Sequence, residues 1–180
     1  MNTEQADPAE LAALREAFGV TDGAAPALGW PGVHAFEARH GVVLPEPYRT
    51  CVAELTDGSY QGPPEYGLWE LARTAEYQQP GLPFPLTRAW IWEDEPCDDP
   101  GERDAATVRV AHHGSISLGT DGCGMHWHLV VTGAHRGHVW LVTGEGAMPF
   151  GAEFGSTTAA PGFAGWVRHW AAGREWFDAE

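Results

Sequence analysis

The sequence predicts an α+β fold, in which an antiparallel, mostly meander β-sheet is flanked by N-terminal helices and a C-terminal helix. Apolar residues recur at helical spacing near both ends of the chain, over residues 11–18 and 163–170. Between them, short apolar runs at 125–132 and 138–143 are separated by a glycine-bounded turn. This arrangement is typical of a β-hairpin. Helices, then strands, then a helix is the order expected of an α+β domain.

Size and composition favour a single domain with one core. The chain has 180 residues, of which 43% are hydrophobic, and it contains 23 glycines and 14 prolines. A chain of this length can bury most of its apolar surface, while the glycines and prolines indicate many turns. We expect one domain over residues 1–180, with its core at about 30–172 and an N-terminal helix and connector within 1–29.

The first helix has clear start and stop signals. Asp7 suits the N-cap, Pro8 the first helical position, and Glu10 follows three residues after the cap. Gly19 can adopt the left-handed conformation that ends a helix. The Gly/Ala/Pro-rich residues 23–29 then predict a connector.

Three further helices follow from apolar spacing. A short second helix is marked by Val33, Phe36 and His40 and stops at Gly41. A third helix starts within residues 44–48 and continues to about Asp57. The third and the C-terminal helix each present an apolar stripe at spacings of three, four and seven residues. These stripes are Tyr48, Cys51, Val52 and Leu55, and Phe163, Trp166, Val167 and Trp170.

The remaining strands are short. Residues 66–71 are interpreted as a first strand or a strand-like turn, and residues 86–92 as an interior strand. Residues 108–111 and 115–118 are strand candidates that lead into the central hairpin. Residues 145–162 are expected to form an irregular connector before the last helix.

Both strands of the central hairpin are expected to be covered on both faces. In the first strand, Trp127 and Leu129 alternate with His126 and His128. In the second strand, residues 139–142 are apolar throughout. Strands that are apolar on both faces belong in the interior of a sheet.

Residues 93–104 concentrate negative charge. Two prolines and a glycine interrupt this segment, so we expect a solvated loop without regular structure. It is a candidate partner-binding surface, and its acidic residues are Glu93, Asp94, Glu95, Asp98, Asp99, Glu102 and Asp104.

The overall charge restricts the class of partner. Aspartate and glutamate total 25, whereas the basic residues number 10, which leaves a net charge of −15. Such a surface repels nucleic acid and anionic membranes and attracts a basic protein. The absence of an apolar run of roughly 20 residues argues against a membrane span. Three cysteines without a CxxC pair, and no charged-then-apolar leader, favour a reduced, cytoplasmic protein.

Two of the histidines are candidate metal ligands. His126 and His128 share one strand face, but a metal site needs at least a third ligand. Tight turns would place these two residues opposite Leu118 and Ile116, and would place His138 opposite residue 131 or 132. His138 would then lie roughly 13 Å along the strand from His128, too far to share an ion. We expect no metal and no cofactor, although a small metalloenzyme using His126 and His128 stays open as an alternative.

No other pattern predicts catalysis. Cys123 lies between two glycines, with no helix start to activate its thiol. The acids of residues 93–104 lack the spacing of a calcium loop, and residues 119–124 lack the lysine of a phosphate-binding loop. We therefore expect a binding protein that is not an enzyme.

Two series of residues resemble a known family. The first comprises Leu44, Pro45, Tyr48, Gly58, Gly62, Gly67 and Leu68. The second comprises Gly122, Cys123, Gly124, residues 129–133, Arg136, Gly137, Val139, Trp140, Phe163, Trp166 and Trp170. In order and spacing they resemble the SUKH superfamily, the Smi/Knr-like cell-wall assembly regulator domain, over roughly residues 30–172.

The resemblance implies a function class but no site. Bacterial members are mostly immunity proteins that neutralise toxin domains of polymorphic secretion systems, many of them nucleases. It therefore implies a cognate toxin as partner, with an intracellular regulatory or scaffold module of the Smi/Knr type as the alternative. The residues that match the family pattern are interpreted as structural, namely Pro45, Tyr48, Gly58, Gly122, Gly133, Gly137, Trp140, Trp166 and Trp170.

Overall fold

Six α-helices and a five-stranded antiparallel sheet form the described part of the chain. The computed structural model describes residues 4–19, 23–94, 99–151, 160–174 and 176. The helices are α1 (Pro8–Gly19), α2 (Trp30–His40), α3 (Tyr48–Glu54), α4 (Leu71–Thr74), α5 (Pro100–His112) and α6 (Phe163–Ala171). The strands are β1 (Trp90–Ile91), β2 (Ser115–Gly122), β3 (Met125–Val130), β4 (Val139–Val142) and β5 (Gly146–Pro149). The predicted α+β class is confirmed.

The sheet is a meander from β2 to β5, with β1 added at the far edge. Its strand order is β1-β5-β4-β3-β2, and every neighbouring pair is antiparallel. β3 and β4 form the predicted central hairpin, and each has a strand on both sides. None of the described helices is long and apolar enough to cross a membrane.

The N-terminal helices begin as predicted, but two of their ends differ from the prediction. Gly19 is the last residue of α1 and has no left-handed φ, and α3 ends at Glu54 rather than near Asp57. Asp7 Oδ1 accepts a hydrogen bond from the backbone N–H of Ala9 at 2.8 Å, at the start of α1. Gly41 ends α2 in the left-handed conformation, with φ 66°. In α3, Tyr48, Cys51 and Val52 are buried, which confirms the predicted apolar stripe.

One face of the sheet carries the main core, which α1, α2, α3 and α6 cover. Trp127 and Leu129 of β3 and Leu141 of β4 point into this core. There they meet Leu14 of α1 and Trp166 of α6, and all five side chains are at most 2% exposed. Burial of such large apolar groups supplies most of the favourable free energy of folding.

The opposite face carries a smaller second core. Val130, Trp140 and Val142 pack there against Phe84 and against Val110 of α5. The rings of Phe84 and Trp140 meet edge to face at 5.1 Å. Both faces of the β3–β4 hairpin are thus covered, as the alternation predicted.

An ion pair joins α2 to α3. The Glu37 carboxylate accepts hydrogen bonds from Arg49 Nε at 2.7 Å and Arg49 Nη2 at 3.0 Å, and from the Leu44 N–H at 2.9 Å. Burial raises the pKa of Glu37, but the bonds from Arg49 and Leu44 outweigh it and leave the pKa below its usual value. The guanidinium also lies 4.9 Å from the Trp30 ring centre. The charged pair therefore fixes the chain between the two helices.

Several secondary-structure predictions were wrong. Residues 108–111 are not a strand, because they belong to α5. The interior strand predicted at 86–92 is only β1, and it lies at a sheet edge. Within residues 66–71, Leu68 forms an isolated bridge with Ser59, and Leu71 is the first residue of α4. Within the predicted connector, β5 forms.

A substitution at Trp166 tests how much the packing of the main core contributes to stability. It is fully buried and contacts the Trp127 ring at 5.7 Å. Replacing it by Ala removes these contacts and leaves a cavity, so we expect a loss of about 3–5 kcal/mol in unfolding free energy. Urea denaturation measures this loss. Tyr60→Ala is the control because that side chain is 83% exposed. Equal midpoints for the two variants would contradict the buried position.

Candidate functional site

The acidic segment straddles the start of α5. Glu93 is exposed in a 3₁₀ turn, Trp92–Asp94. Asp99, Glu102 and Asp104 are exposed at or just after the helix start. Glu95 and Asp98 lie outside the described residues.

The prediction of a loop through residue 104 was wrong, because α5 starts at Pro100. Asp99 is the N-cap, and its Oδ1 accepts a hydrogen bond from the Gly101 N–H at 2.8 Å. Pro100 occupies the first turn, where its missing N–H costs nothing, and Glu102 lies near the positive end of the helix dipole. Part of this negative charge therefore stabilises the helix.

A cleft lies beside these acids. The guanidinium of Arg103 sits 4.6 Å from the ring centre of Trp92, which ties the first turn of α5 to the 3₁₀ turn. Trp90 and Trp92 are half-buried, and with one side of α5 they line about 410 Å³. The structure thus places aromatic rings next to exposed carboxylates, an association that the sequence pattern did not predict.

The residues that match the family pattern lie in the core and in turns. Tyr48, Trp140 and Trp166 are at most 1% exposed. Trp170 is half-buried and stacks on Phe18 at 6.5 Å. The four glycines all have φ between 81° and 109°, where a side chain would be strained. They are Gly58, Gly122, Gly133 and Gly137, and the last of these packs near Pro45.

A pocket opens on the second face of the sheet, and we call it the histidine pocket. Its floor is formed by His126 and His128 of β3 with Ser117 of β2, and one wall by His112 of α5. Trp69, before α4, forms the opposite wall, and its ring lies 6.1 Å from that of His126. The pocket holds about 330 Å³, within the range of small-molecule sites. Sequence reasoning missed it, because His112 and Trp69 are far from β3 along the chain.

The histidines do not have the predicted cross-strand partners. His128 pairs with Ser117 and His126 with Thr120, rather than with Ile116 and Leu118. The difference starts at the turn, where Gly122 pairs with Met125 and leaves Cys123 and Gly124 as the connection. Register shifts after Ser117 and after Thr120 then set the pairing further along the strands.

The prediction for His138 was also wrong. It pairs with Val130, whose N–H donates to the His138 carbonyl at 3.0 Å. The His138 ring lies beside that of His135, with 3.4 Å between their Nδ1 atoms. Among the described residues, no group of three His, Cys, Asp or Glu side chains is placed to hold a metal.

His128 is neutral in this setting. Burial, with smaller effects from His126 and His112, lowers its pKa from 6.5 to about 3. Its Nδ1 lies 3.0 Å from Ser115 Oγ, so one ring nitrogen is engaged within the sheet. The floor of the histidine pocket is therefore polar and uncharged near neutral pH.

The lowered pKa makes stability depend on pH. The unfolded chain binds a proton at His128 below about pH 6.5, whereas the folded chain does so only near pH 3. Stability is therefore fully present above pH 6.5 and falls as the pH drops, by up to about 1.4 kcal/mol per pH unit. His128→Asn should flatten this slope between pH 7 and pH 5, measured by urea denaturation. His34→Asn, at an exposed site on α2, should keep it. Parallel slopes for wild type and His128→Asn would contradict a neutral, buried His128.

Comparison with known proteins identifies the family. No curated protein and no solved structure matches the chain. The model of the SMI1 / KNR4 family (SUKH-1) matches residues 33–168, from within α2 to within α6. The match covers more than half of the sequence and confirms the resemblance noted from its residues. The chain belongs to the SMI1 / KNR4 family (SUKH-1).

Proposed function

We propose that this protein is an immunity protein, which binds a cognate bacterial toxin domain and neutralises it. Membership of the SMI1 / KNR4 family (SUKH-1) is the observation that carries the proposal, because toxin immunity is a known role in this family. The mode of action is binding between proteins, and catalysis by this chain is not required.

Charge favours a basic partner such as a nuclease. A nuclease cleft is basic because it holds a phosphate backbone, and an inhibitor must occupy that cleft or block it. With a net charge of −15, this protein would be drawn to such a cleft. Electrostatic attraction of this kind raises association rates far more than it slows dissociation.

The proposed contact surface is the acidic segment around the start of α5. Glu93, Glu102 and Asp104 are exposed there, and the Trp90–Trp92 cleft adjoins them. Aromatic side chains at the centre with charged groups at the rim are the usual composition of a protein–protein interface. Arg103 turns its guanidinium onto Trp92, and Arg109 also lines the cleft. The exposed carboxylates lie at the start of α5, whereas the second arginine lies further along the helix.

The first test is rescue of growth. The toxin domain encoded beside this gene is expressed alone and together with this protein, and colony formation is measured. Immunity predicts that co-expression restores growth, and that the two purified proteins form a stable complex. Continued killing, with no complex, would overturn the proposal and favour a regulatory or scaffold role.

The contact surface is tested by neutralising its charges. In Glu93→Gln/Glu102→Gln/Asp104→Asn, we expect association at low salt to slow several-fold and its salt dependence to flatten, with dissociation little changed. Asp99 is kept because it caps α5. Stopped-flow fluorescence or surface plasmon resonance at two salt concentrations measures these rates.

A matched control removes the same charge elsewhere. Glu16, Glu65 and Glu76 are exposed on other segments, and changing all three to Gln gives an equal change in net charge. If both triple variants associate equally slowly, the effect comes from overall charge alone. Unchanged rates for the α5 variant would exclude this segment as the contact surface, while growth rescue would still test immunity itself.

A further inference from the structure

The histidine pocket contains polar atoms without a protein partner. Ser117 is 4% exposed, and its Oγ has no hydrogen-bond partner among the described residues. His112 Nδ1 is likewise buried and without a partner there. Leaving a buried polar group unsatisfied costs free energy, and native proteins usually avoid it. Both residues line the histidine pocket, and a ligand that reaches these two atoms would supply the missing hydrogen bonds.

The lining differs in charge from the rest of the protein. Aspartate and glutamate outnumber basic residues 25 to 10 in the chain, yet no described carboxylate lines the pocket. The one lining residue with a permanent charge is Arg73, on α4. Its guanidinium lies 4.0 Å from the ring centre of Trp69, at the wall of the pocket. The site therefore favours an anion or a neutral molecule over a cation.

The walls suit a flat ring. Trp69 and Tyr77 line one side, and the His126 ring meets that of His128 edge to face at 6.5 Å on the floor. Val142 adds an apolar contact. Aromatic and imidazole rings stack on, or meet edgewise, planar π systems. The volume of about 330 Å³ accommodates one or two fused rings with a short side chain.

We propose that the histidine pocket binds a small planar aromatic anion. Its ring lies between Trp69 and the β-sheet, its polar edge bonds to Ser117 Oγ and His112 Nδ1, and its negative group faces Arg73. A metal ion does not fit these residues, because no three ligating side chains among the described residues converge there. The inference does not depend on the proposed immunity function.

Charge and planarity of the ligand are tested by paired probes. Indole-3-acetate and tryptamine share an indole ring but carry opposite charges. Benzoate and cyclohexanecarboxylate share a carboxylate, but only benzoate is planar. By isothermal titration calorimetry we expect indole-3-acetate to bind at least tenfold more tightly than tryptamine, and benzoate more tightly than cyclohexanecarboxylate. Inorganic phosphate should not compete. No binding by either aromatic anion, or equal binding within both pairs, would overturn the proposal.

Location is tested by blocking the pocket. Gly144 lines it, and a Cβ added there would meet nothing within 4 Å, so the position at the pocket has room for a large side chain. Gly144→Trp should abolish binding of indole-3-acetate and leave the melting temperature unchanged. Unaltered affinity in this folded variant would place the probe elsewhere and overturn the proposal.

The charge contact is tested at Arg73. Arg73→Gln should weaken indole-3-acetate binding at least fivefold and reduce the preference over tryptamine. Arg15→Gln removes the same charge from an exposed position on α1 and should keep wild-type affinity. Equal effects of the two variants would mean that overall charge, rather than Arg73, selects the ligand, and would contradict the proposed pose.

A variant at Ser117 distinguishes a role of its hydroxyl in ligand binding from a role in the stability of the fold. Because its hydroxyl has no described partner, Ser117→Ala should keep or raise the melting temperature of the free protein. The same variant should weaken the binding of indole-3-acetate at least threefold. A lower melting temperature with unchanged affinity would assign the hydroxyl to the fold and contradict its role in binding.

Discussion

The fold depends on burying the β3–β4 hairpin on both faces. Trp127 and Trp140 point to opposite sides of the sheet and are each fully buried. A two-stranded hairpin cannot provide such cover alone, so each face needs its own layer. Helices at both ends of the chain supply the first layer. The segment around Phe84 and α5 supplies the second, which explains why α5 interrupts the order of strands.

Coverage of the second face stops partway along β3, and that limit creates the histidine pocket. At one end of this face, Val130 packs into the second core under Phe84 and Val110. Towards the other end, the same face presents His128 and His126. Imidazoles and serines gain little from apolar cover. His128 and Ser117 are still buried, at 3% and 4% exposed, whereas His126 is half-buried towards the opening of the pocket. The change from apolar to polar residues along one strand face thus positions a pocket beside a core.

Local signals in the sequence predicted most of the fold, and they also show why α5 was missed. Asp7-Pro8 with Glu10 marked the start of α1, and Asp99-Pro100 with Glu102 repeats the same signal at the start of α5. The dense acids around it suggested a loop instead. The buried side of α5 is also weakly apolar, since Val110 is its one fully buried residue and its neighbours on that side are alanine and threonine. Small residues give little periodic signal.

The site was less predictable than the fold, because it depends on pairing between distant segments. The alternation of β3 placed His126 and His128 on one face, as found. Their neighbours depended on two register shifts in β2, where Gly119 approaches the Gly67 carbonyl so closely that a Cβ would lie 2.5 Å from it. A bulge fixed by packing against a remote turn leaves no local pattern in β2.

The acidic segment at the start of α5 and the histidine pocket differ in charge. The start of α5 presents exposed carboxylates that would attract a basic protein. The other end of α5 contributes His112 to a pocket whose described lining holds no carboxylate and one arginine. A ligand suited to one surface is therefore repelled by, or indifferent to, the other. In a chain with a net charge of −15, a pocket without lining carboxylates is a place where an anion is not repelled. An anion approaching the protein meets repulsion over most of its surface, and the wall beside Arg73 offers it a local attraction.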